Sequence, residues 1–167
     1  GESGGDSGTT EPEHTCDSKC ATCGNCTDTQ CTYDVCANNQ CAGHNETTEP
    51  TVVLEITKDD FNSTSYAANN NTKTENGYSY TSYQVMNQSS AMQWQKSKGY
   101  ITIASNDFVK LELKVTAGTY TVTVGGKTVT GTTSNGVTTY DLTGLAGEVK
   151  VSVGSATGKV DYLKFYK

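Results

Sequence analysis

From Pro50 to the C terminus, apolar and polar side chains alternate with a period of two residues, and this alternation restricts the possible folds more than any other feature. In the segment 109–115, valine and leucine alternate with lysine and glutamate. The segments 120–124 and 149–153 alternate in the same way, with threonine, lysine or serine at the polar positions. Because successive side chains of a β-strand point to opposite faces of its sheet, each segment predicts a strand with one buried face.

Glycine-containing dipeptides separate these segments, and such dipeptides supply the positive φ angles of tight hairpins. They are Ala117-Gly118, Gly125-Gly126, Asn135-Gly136, Ala146-Gly147 and Thr157-Gly158. Further strands are expected at 52–57, 78–85, 92–96, 100–104, 137–142 and 160–166. No window has a helical period, so we expect an all-β fold, an antiparallel β-sandwich of about nine short strands.

The composition changes at Pro50. All seven cysteines and both histidines precede it, whereas nearly all valine, isoleucine, leucine, phenylalanine and tyrosine residues follow it. Residues 1–50 carry nine carboxylates and one lysine, and the remainder carries nine carboxylates and eleven lysines. We therefore expect a flexible acidic linker, a small cysteine-rich module with little regular structure, a second linker and the β-sandwich. Their predicted ranges are 1–13, 14–44, 45–51 and 52–167.

The cysteine-rich module has too few apolar side chains for a hydrophobic core, so metal or disulfides must stabilise it. The overlapping Cys-x2-Cys units at Cys20, Cys23 and Cys26 favour tetrahedral zinc. One histidine would complete eight ligands for two closed sites, and both would complete nine for a three-metal cluster. Three disulfides and one free thiol, as expected in an oxidising compartment, remain the alternative. The candidate ligands are His14, Cys16, Cys20, Cys23, Cys26, Cys31, Cys36, Cys41 and His44.

Composition also disfavours several functions. The chain has no arginine and no basic stripe, so we expect no nucleic-acid binding. No stretch approaches the roughly 18 apolar residues of a membrane-spanning helix. The sandwich lacks histidine, and the chain has no phosphate loop or nucleophile elbow, so we expect a binding protein without catalytic activity. We also expect this chain to be a monomeric part of a larger protein.

Both modules resemble known families. Segment 14–44 resembles cysteine-rich segments of surface proteins from anaerobic Gram-positive bacteria, which implies an extracellular or cell-envelope location. Segment 117–124, Ala-Gly-Thr-Tyr-Thr-Val-Thr-Val, and the closing segment 160–165 are similar to strands of jelly-roll carbohydrate-binding modules of bacterial glycoside-degrading enzymes. Segment 84–101 is similar to repeated domains of large bacterial surface proteins and secreted hydrolases. These resemblances imply a jelly-roll-like sandwich whose partner is a carbohydrate or surface glycan.

In calcium-containing jelly rolls, an acidic residue of the first strand and an aspartate of the last strand share an ion. Glu55 and Asp161 occupy the matching positions, and this implies a possible calcium site. Strand alternation places Asp161 on the side of Leu163 and Phe165, where a carboxylate needs a partner. Glu55 alternates with apolar neighbours, so a hydrogen-bonded Asp161 without metal is the alternative.

The candidate ligand-binding residues are aromatic, because tyrosine and tryptophan offer flat apolar faces with a polar group. They are Tyr78, Tyr80, Tyr83, Trp94 and Tyr100. Trp94 shares a strand face with Met92, so burial in the core is its alternative role. For the tyrosines, the alternative is cross-strand pairing on a solvated sheet face.

The leading functional hypothesis is carbohydrate binding by the sandwich, with the cysteine-rich module as a cross-linked spacer. A structural stalk or protein-docking domain of a surface adhesin is the second hypothesis. The third is an accessory domain of a secreted hydrolase.

Overall fold

The computed structural model describes residues 49–70 and 74–167. The predictions for linker 1–13, for the cysteine-rich module 14–44 with its zinc or disulfide chemistry, and for most of linker 45–51 lie outside the described residues. Residues Pro50–Lys167 form one compact unit.

Every strand pairing in the described part is antiparallel, which confirms the predicted all-β fold. A single 3₁₀ turn, Lys58–Asp60, is the other regular element there. The strands are β1 (Val52–Ile56), β2 (Ala67–Ala68), β3 (Thr81–Gln88), β4 (Ala91–Trp94), β5 (Tyr100–Ile103), β6 (Lys110–Ala117), β7 (Tyr120–Val124), β8 (Lys127–Val129), β9 (Thr132–Ser134), β10 (Val137–Asp141), β11 (Val149–Val153) and β12 (Gly158–Tyr166).

The strands form two sheets joined through β4. The first sheet has the order β8-β7-β11-β5-β3, and the second has the order β12-β6-β10-β9 with β1 also paired to β12. Strand β4 pairs with β3 on one side and with β12 on the other, so the hydrogen-bonded ladder passes from one sheet to the other. Apolar side chains of both sheets share one core, and the fold is the predicted antiparallel, jelly-roll-like β-sandwich.

The alternation read from the sequence correctly gives the buried side of the main strands. In β11, Val149, Val151 and Val153 are buried while the two residues between them are half-buried. In β6, Leu111 and Leu113 have no exposed surface. Burial of such side chains from two facing sheets supplies the main stabilisation of a sandwich.

One predicted turn is wrong. Asn135-Gly136 forms the expected hairpin turn, with φ angles of 52° and 78°. Thr157-Gly158 does not, because Gly158 is the first residue of β12. Its glycine is explained by packing instead: a Cβ atom there would collide with the Tyr120 hydroxyl and would lie 2.8 Å from Val153 Cγ2.

Three strands were not predicted, namely β2, β8 and β9. Strand β9 consists of Thr132–Ser134, and all of its residues are exposed. Strand β2 has two residues. Such segments bury too little apolar surface to show a period of two, and backbone hydrogen bonds to β10 and β3 define them.

Two bulges change the direction of side chains. Gln84 has a φ of 53° in the middle of β3, between the residues that pair with β5 and those that pair with β4. In β12, Val160 and Tyr162 pair with the adjacent residues Val115 and Lys114, so Asp161 is an extra residue in the ladder. The bulge reverses the alternation before Leu163, and the expected placement of Asp161 on the side of Leu163 and Phe165 is wrong.

Candidate functional site

The outer surface of the first sheet, here called the first face, consists of two lateral rows of side chains set by the strand register. The row at one end contains Tyr83, Tyr100, Ser152 and Thr121. The second row contains Thr81, Thr102, Lys150, Thr123 and Thr128. Directly opposed residues of neighbouring strands point to the same side, so these rows share one surface. The first face therefore combines two aromatic rings, one ammonium group and many hydroxyl groups.

Tyr83 and Tyr100 form the aromatic part of the first face. They are directly opposed in β3 and β5, and their rings stack with centroids 5.2 Å apart and planes inclined by 23°. Tyr83 is 37 % exposed, and Tyr100 is half-buried. On the other side of Tyr83, the paired residue in β2 is Ala68, which has only a methyl group. Register thus creates a tyrosine pair with an exposed outer ring.

Lys150 lies beside this pair. Its Nζ atom is 4.5 Å from the centroid of the Tyr100 ring, a cation–π contact. Within residues 49–70 and 74–167, Lys150 forms no ion pair with a carboxylate. The side chains Tyr83, Tyr100 and Lys150 therefore follow one another across β3, β5 and β11.

The other predicted aromatic residues lie elsewhere. Trp94 has no exposed surface, and Tyr80 is 5 % exposed. Burial is the main cause that raises the pKa of Tyr80 above its ordinary value. Trp94 packs edge-on against Tyr120, at 5.4 Å between ring centroids. Both side chains belong to the core and present no face to a ligand, so Trp94 and Tyr80 are no longer candidates for ligand binding.

Tyr78 precedes β3 and is separate from the tyrosine pair. Its ring packs against Phe108 at 4.8 Å, and its hydroxyl donates a hydrogen bond of 2.6 Å to Asp107 Oδ2. Lys167 Nζ lies 2.8 Å from the same oxygen. The hydrogen bond to Asp107 is the first cause that raises the pKa of Tyr78. These contacts give Tyr78 a structural role near the C-terminal strand.

The outer surface of the second sheet, here called the second face, contains a group of residues that the sequence analysis did not single out. Lys110 Nζ lies 4.0 Å from the Tyr166 ring centroid and 3.3 Å from Glu112. Lys164 Nζ lies 4.2 Å from the Tyr162 ring centroid. The alternation of lysine and glutamate in β6 was the available signal, since it predicts a charged outer row.

Hydrogen bonding links the tyrosine and the carboxylate of the second face. The Tyr166 hydroxyl donates a hydrogen bond of 2.8 Å to Glu112 Oε2. Burial and then this hydrogen bond raise the pKa of Tyr166 to about 12. Glu112 thus has two partners on the second face, the Lys110 ammonium group and the Tyr166 hydroxyl.

The calcium site suggested for Glu55 and Asp161 stays a prediction. Asp161 Oδ2 lies 4.0 Å from Lys114 Nζ, and its side chain is 36 % exposed. The backbone N–H of Glu55 donates to Glu75 Oε2 at 2.9 Å. In the part of the chain that the structure describes, no three acidic, histidine or cysteine side chains come together to hold a metal ion.

Two concave regions lie away from the first face. A groove of about 430 Å³ is lined by residues of β6, β7, β9 and β10 and of the turns between them, including Thr119, Thr133 and Thr138. A smaller one of about 330 Å³ lies beside Pro50 and Lys110. Neither includes a candidate aromatic residue from the sequence analysis.

The described part of the chain contains no helix with the length and apolar character that spanning a membrane requires.

Comparison with known proteins gives little. No protein-family model matches the chain, and no curated protein matches it. A solved structure from the work "The complexity of the Ruminococcus flavefaciens cellulosome reflects an expansion in glycan recognition" is 22 % identical, with a TM-score of 0.34. The match covers 70 % of this chain and 83 % of the solved chain. The fold assigned to this protein therefore stands on its own strand pairing and shared core, and not on this similarity.

Proposed function

We propose that residues 52–167 are a non-catalytic carbohydrate-binding module of an extracellular or cell-envelope protein, and that the first face binds the glycan. The observation that carries the proposal is the stacked pair of Tyr83 and Tyr100, with its exposed outer ring. A pyranose ring has an apolar surface of C–H groups, and an exposed aromatic ring is the protein surface that matches it.

The neighbours of the pair suit the polar part of a sugar. Ser152 and Thr121 continue the row of the two tyrosines, and Thr102 and Thr81 lie in the next row. Hydroxyl side chains both donate and accept hydrogen bonds, as sugar hydroxyl groups do. An apolar ring flanked by such groups is the composition expected of a sugar-binding surface.

The first face is also held in place before any ligand arrives. Its residues lie on hydrogen-bonded strands, and the two tyrosine rings are stacked on each other. Less side-chain freedom is then lost on binding, so more of the contact energy contributes to affinity.

Calorimetry of the full chain with a panel of plant, mucin and bacterial-wall glycans tests the proposal. With a glycan that binds, Tyr83→Ala should weaken affinity at least about tenfold, or about 1.4 kcal/mol. Tyr162→Ala is the matched control, because it removes a tyrosine ring from the second face. Equal loss in both variants, or binding by none of the glycans, would overturn the proposal.

A structural stalk or protein-docking domain is the second candidate function. It is favoured by the threonine-rich second row of the first face, which is regular and lies outside the two concave regions described above. It predicts that Tyr83→Ala changes no glycan affinity. An accessory domain of a secreted hydrolase would bind glycans in the same way, and catalytic sequence elsewhere in the gene product would distinguish it.

A further inference from the structure

We infer that the glycan bound by the first face is acidic, a polysaccharide of uronic acids whose carboxylate pairs with Lys150. This inference rests on the proposed function and specifies its ligand class. The observation behind it is an ammonium group that lies on an aromatic ring of the binding face without a carboxylate partner among the described residues.

The position of Lys150 suits a ligand that lies across the strands. Tyr83 and Lys150 are two strands apart, which is roughly 10 Å at the spacing of neighbouring strands. That separation is about the length of a disaccharide. One sugar unit can therefore contact Tyr83 while the carboxylate of the next unit reaches Lys150.

Charge on this part of the molecule has one sign. Residues 76–106, which include β3, β4 and β5, contain no aspartate or glutamate. They contain Lys96 and Lys98, both exposed in the turn that leads directly to Tyr100. Neither lysine forms an ion pair with a carboxylate of the described residues. The charged side chains of the segment that carries the tyrosine pair are therefore all positive.

Attraction of an acidic ligand is local to this region. The whole chain has a formal net charge of −6, whereas residues 51–167 carry eleven lysines and nine carboxylates. On the second face, Lys110 and Lys114 lie beside carboxylates of the same face. A polyanion therefore meets an ammonium group without an ion-pair partner at Lys150, whereas Lys110 and Lys114 are already paired.

The test uses the full chain with polygalacturonate, its fully methyl-esterified form and neutral glycans. Methyl esterification removes the carboxylate charge but keeps the sugar ring. We expect polygalacturonate to bind at least about tenfold more tightly than its ester, with affinity falling as salt rises. Lys150→Gln should remove most of that difference.

Lys164→Gln is the matched control, because Lys164 covers a tyrosine ring on the second face. It should leave the affinity for polygalacturonate unchanged. If neutral glycans bind as well as or better than polygalacturonate, or if both lysine variants weaken binding equally, the inference fails while carbohydrate binding stands. If no glycan of either kind binds, the proposed function fails as well.

Discussion

The two faces of the sandwich carry similar side chains but compensate their charges differently. On the second face, Lys110 covers the Tyr166 ring and lies 3.3 Å from Glu112. On the first face, Lys150 covers the Tyr100 ring, and no carboxylate of residues 49–70 or 74–167 forms an ion pair with it. Lys110 lies directly opposite Tyr166, and Glu112 follows two residues later in the same strand as Lys110. Lys150 lies opposite Thr102 and diagonal to Tyr100.

This difference separates a surface lysine that is paired with a carboxylate, Lys110, from one that is available to a charged ligand, Lys150. Where lysine, glutamate and tyrosine satisfy one another, a charged ligand gains little by approaching. Where an ammonium group and an exposed ring lack such partners, a ligand can supply them. The following predictions test whether the aromatic residues and charges of the protein divide in this way.

The largest effect is expected at the junction of the two sheets. Trp94→Ala removes a fully buried side chain from β4 and should lower the free energy of unfolding by about 3–5 kcal/mol. Tyr83→Ala, on the first face, should cost about 1 kcal/mol or less. Urea denaturation of both variants measures the two values. If the Trp94→Ala protein were as stable as the parent but no longer bound glycan, Trp94 would be a ligand-binding residue and not a core residue.

Alkaline pH should destabilise the fold through its protected tyrosines. Because these pKa values are raised in the folded state, their contribution to stability is complete below pH 10, the ordinary tyrosine pKa, and decreases as the pH rises toward about 12, the pKa of Tyr166. Burial is the first cause in each except Tyr78, whose first cause is the hydrogen bond to Asp107. The affected residues are Tyr78, Tyr80, Tyr120, Tyr140 and Tyr166.

Urea midpoints measured across that pH range test this expectation, with tyrosine absorbance as a second signal. Tyr166→Phe is the matched variant, since it removes one titrating hydroxyl and its hydrogen bond to Glu112. It should lose less stability than the parent over the same rise in pH. A flat stability curve between pH 10 and about 12 would contradict the protected placement of these hydroxyl groups.

The smallest effect is expected from salt. The ion pairs Lys110–Glu112 and Lys114–Asp161 of the second face are partly exposed, so raising NaCl from about 0.1 M to about 1 M should change the free energy of unfolding by less than about 1 kcal/mol. Salt should weaken binding of a polyuronate much more. A larger loss of stability than of affinity would contradict the small contribution expected of these two ion pairs.

The period of two was sufficient to predict most of the fold. It identified β6, β7 and β11, and it placed Trp94 and Met92 on one strand face, which is buried. It also brought Tyr83 and Tyr100 into the candidate set. It did not separate these two from Tyr80, because an aromatic residue in an alternating strand has the same pattern on a core face and on an outer face until the sheets are paired.

The sequence by itself determined that residues 52–167 form antiparallel strands, because apolar side chains at every second position can be buried together only on one face of a sheet. Tertiary structure decided which aromatic rings remain outside. The bulges at Gln84 and Asp161 reverse the alternation within a strand, and pairing of β3 with β5 opposes Tyr83 to Tyr100. These choices depend on hydrogen bonds between strands far apart in the chain, and such bonds leave no local signal in the sequence.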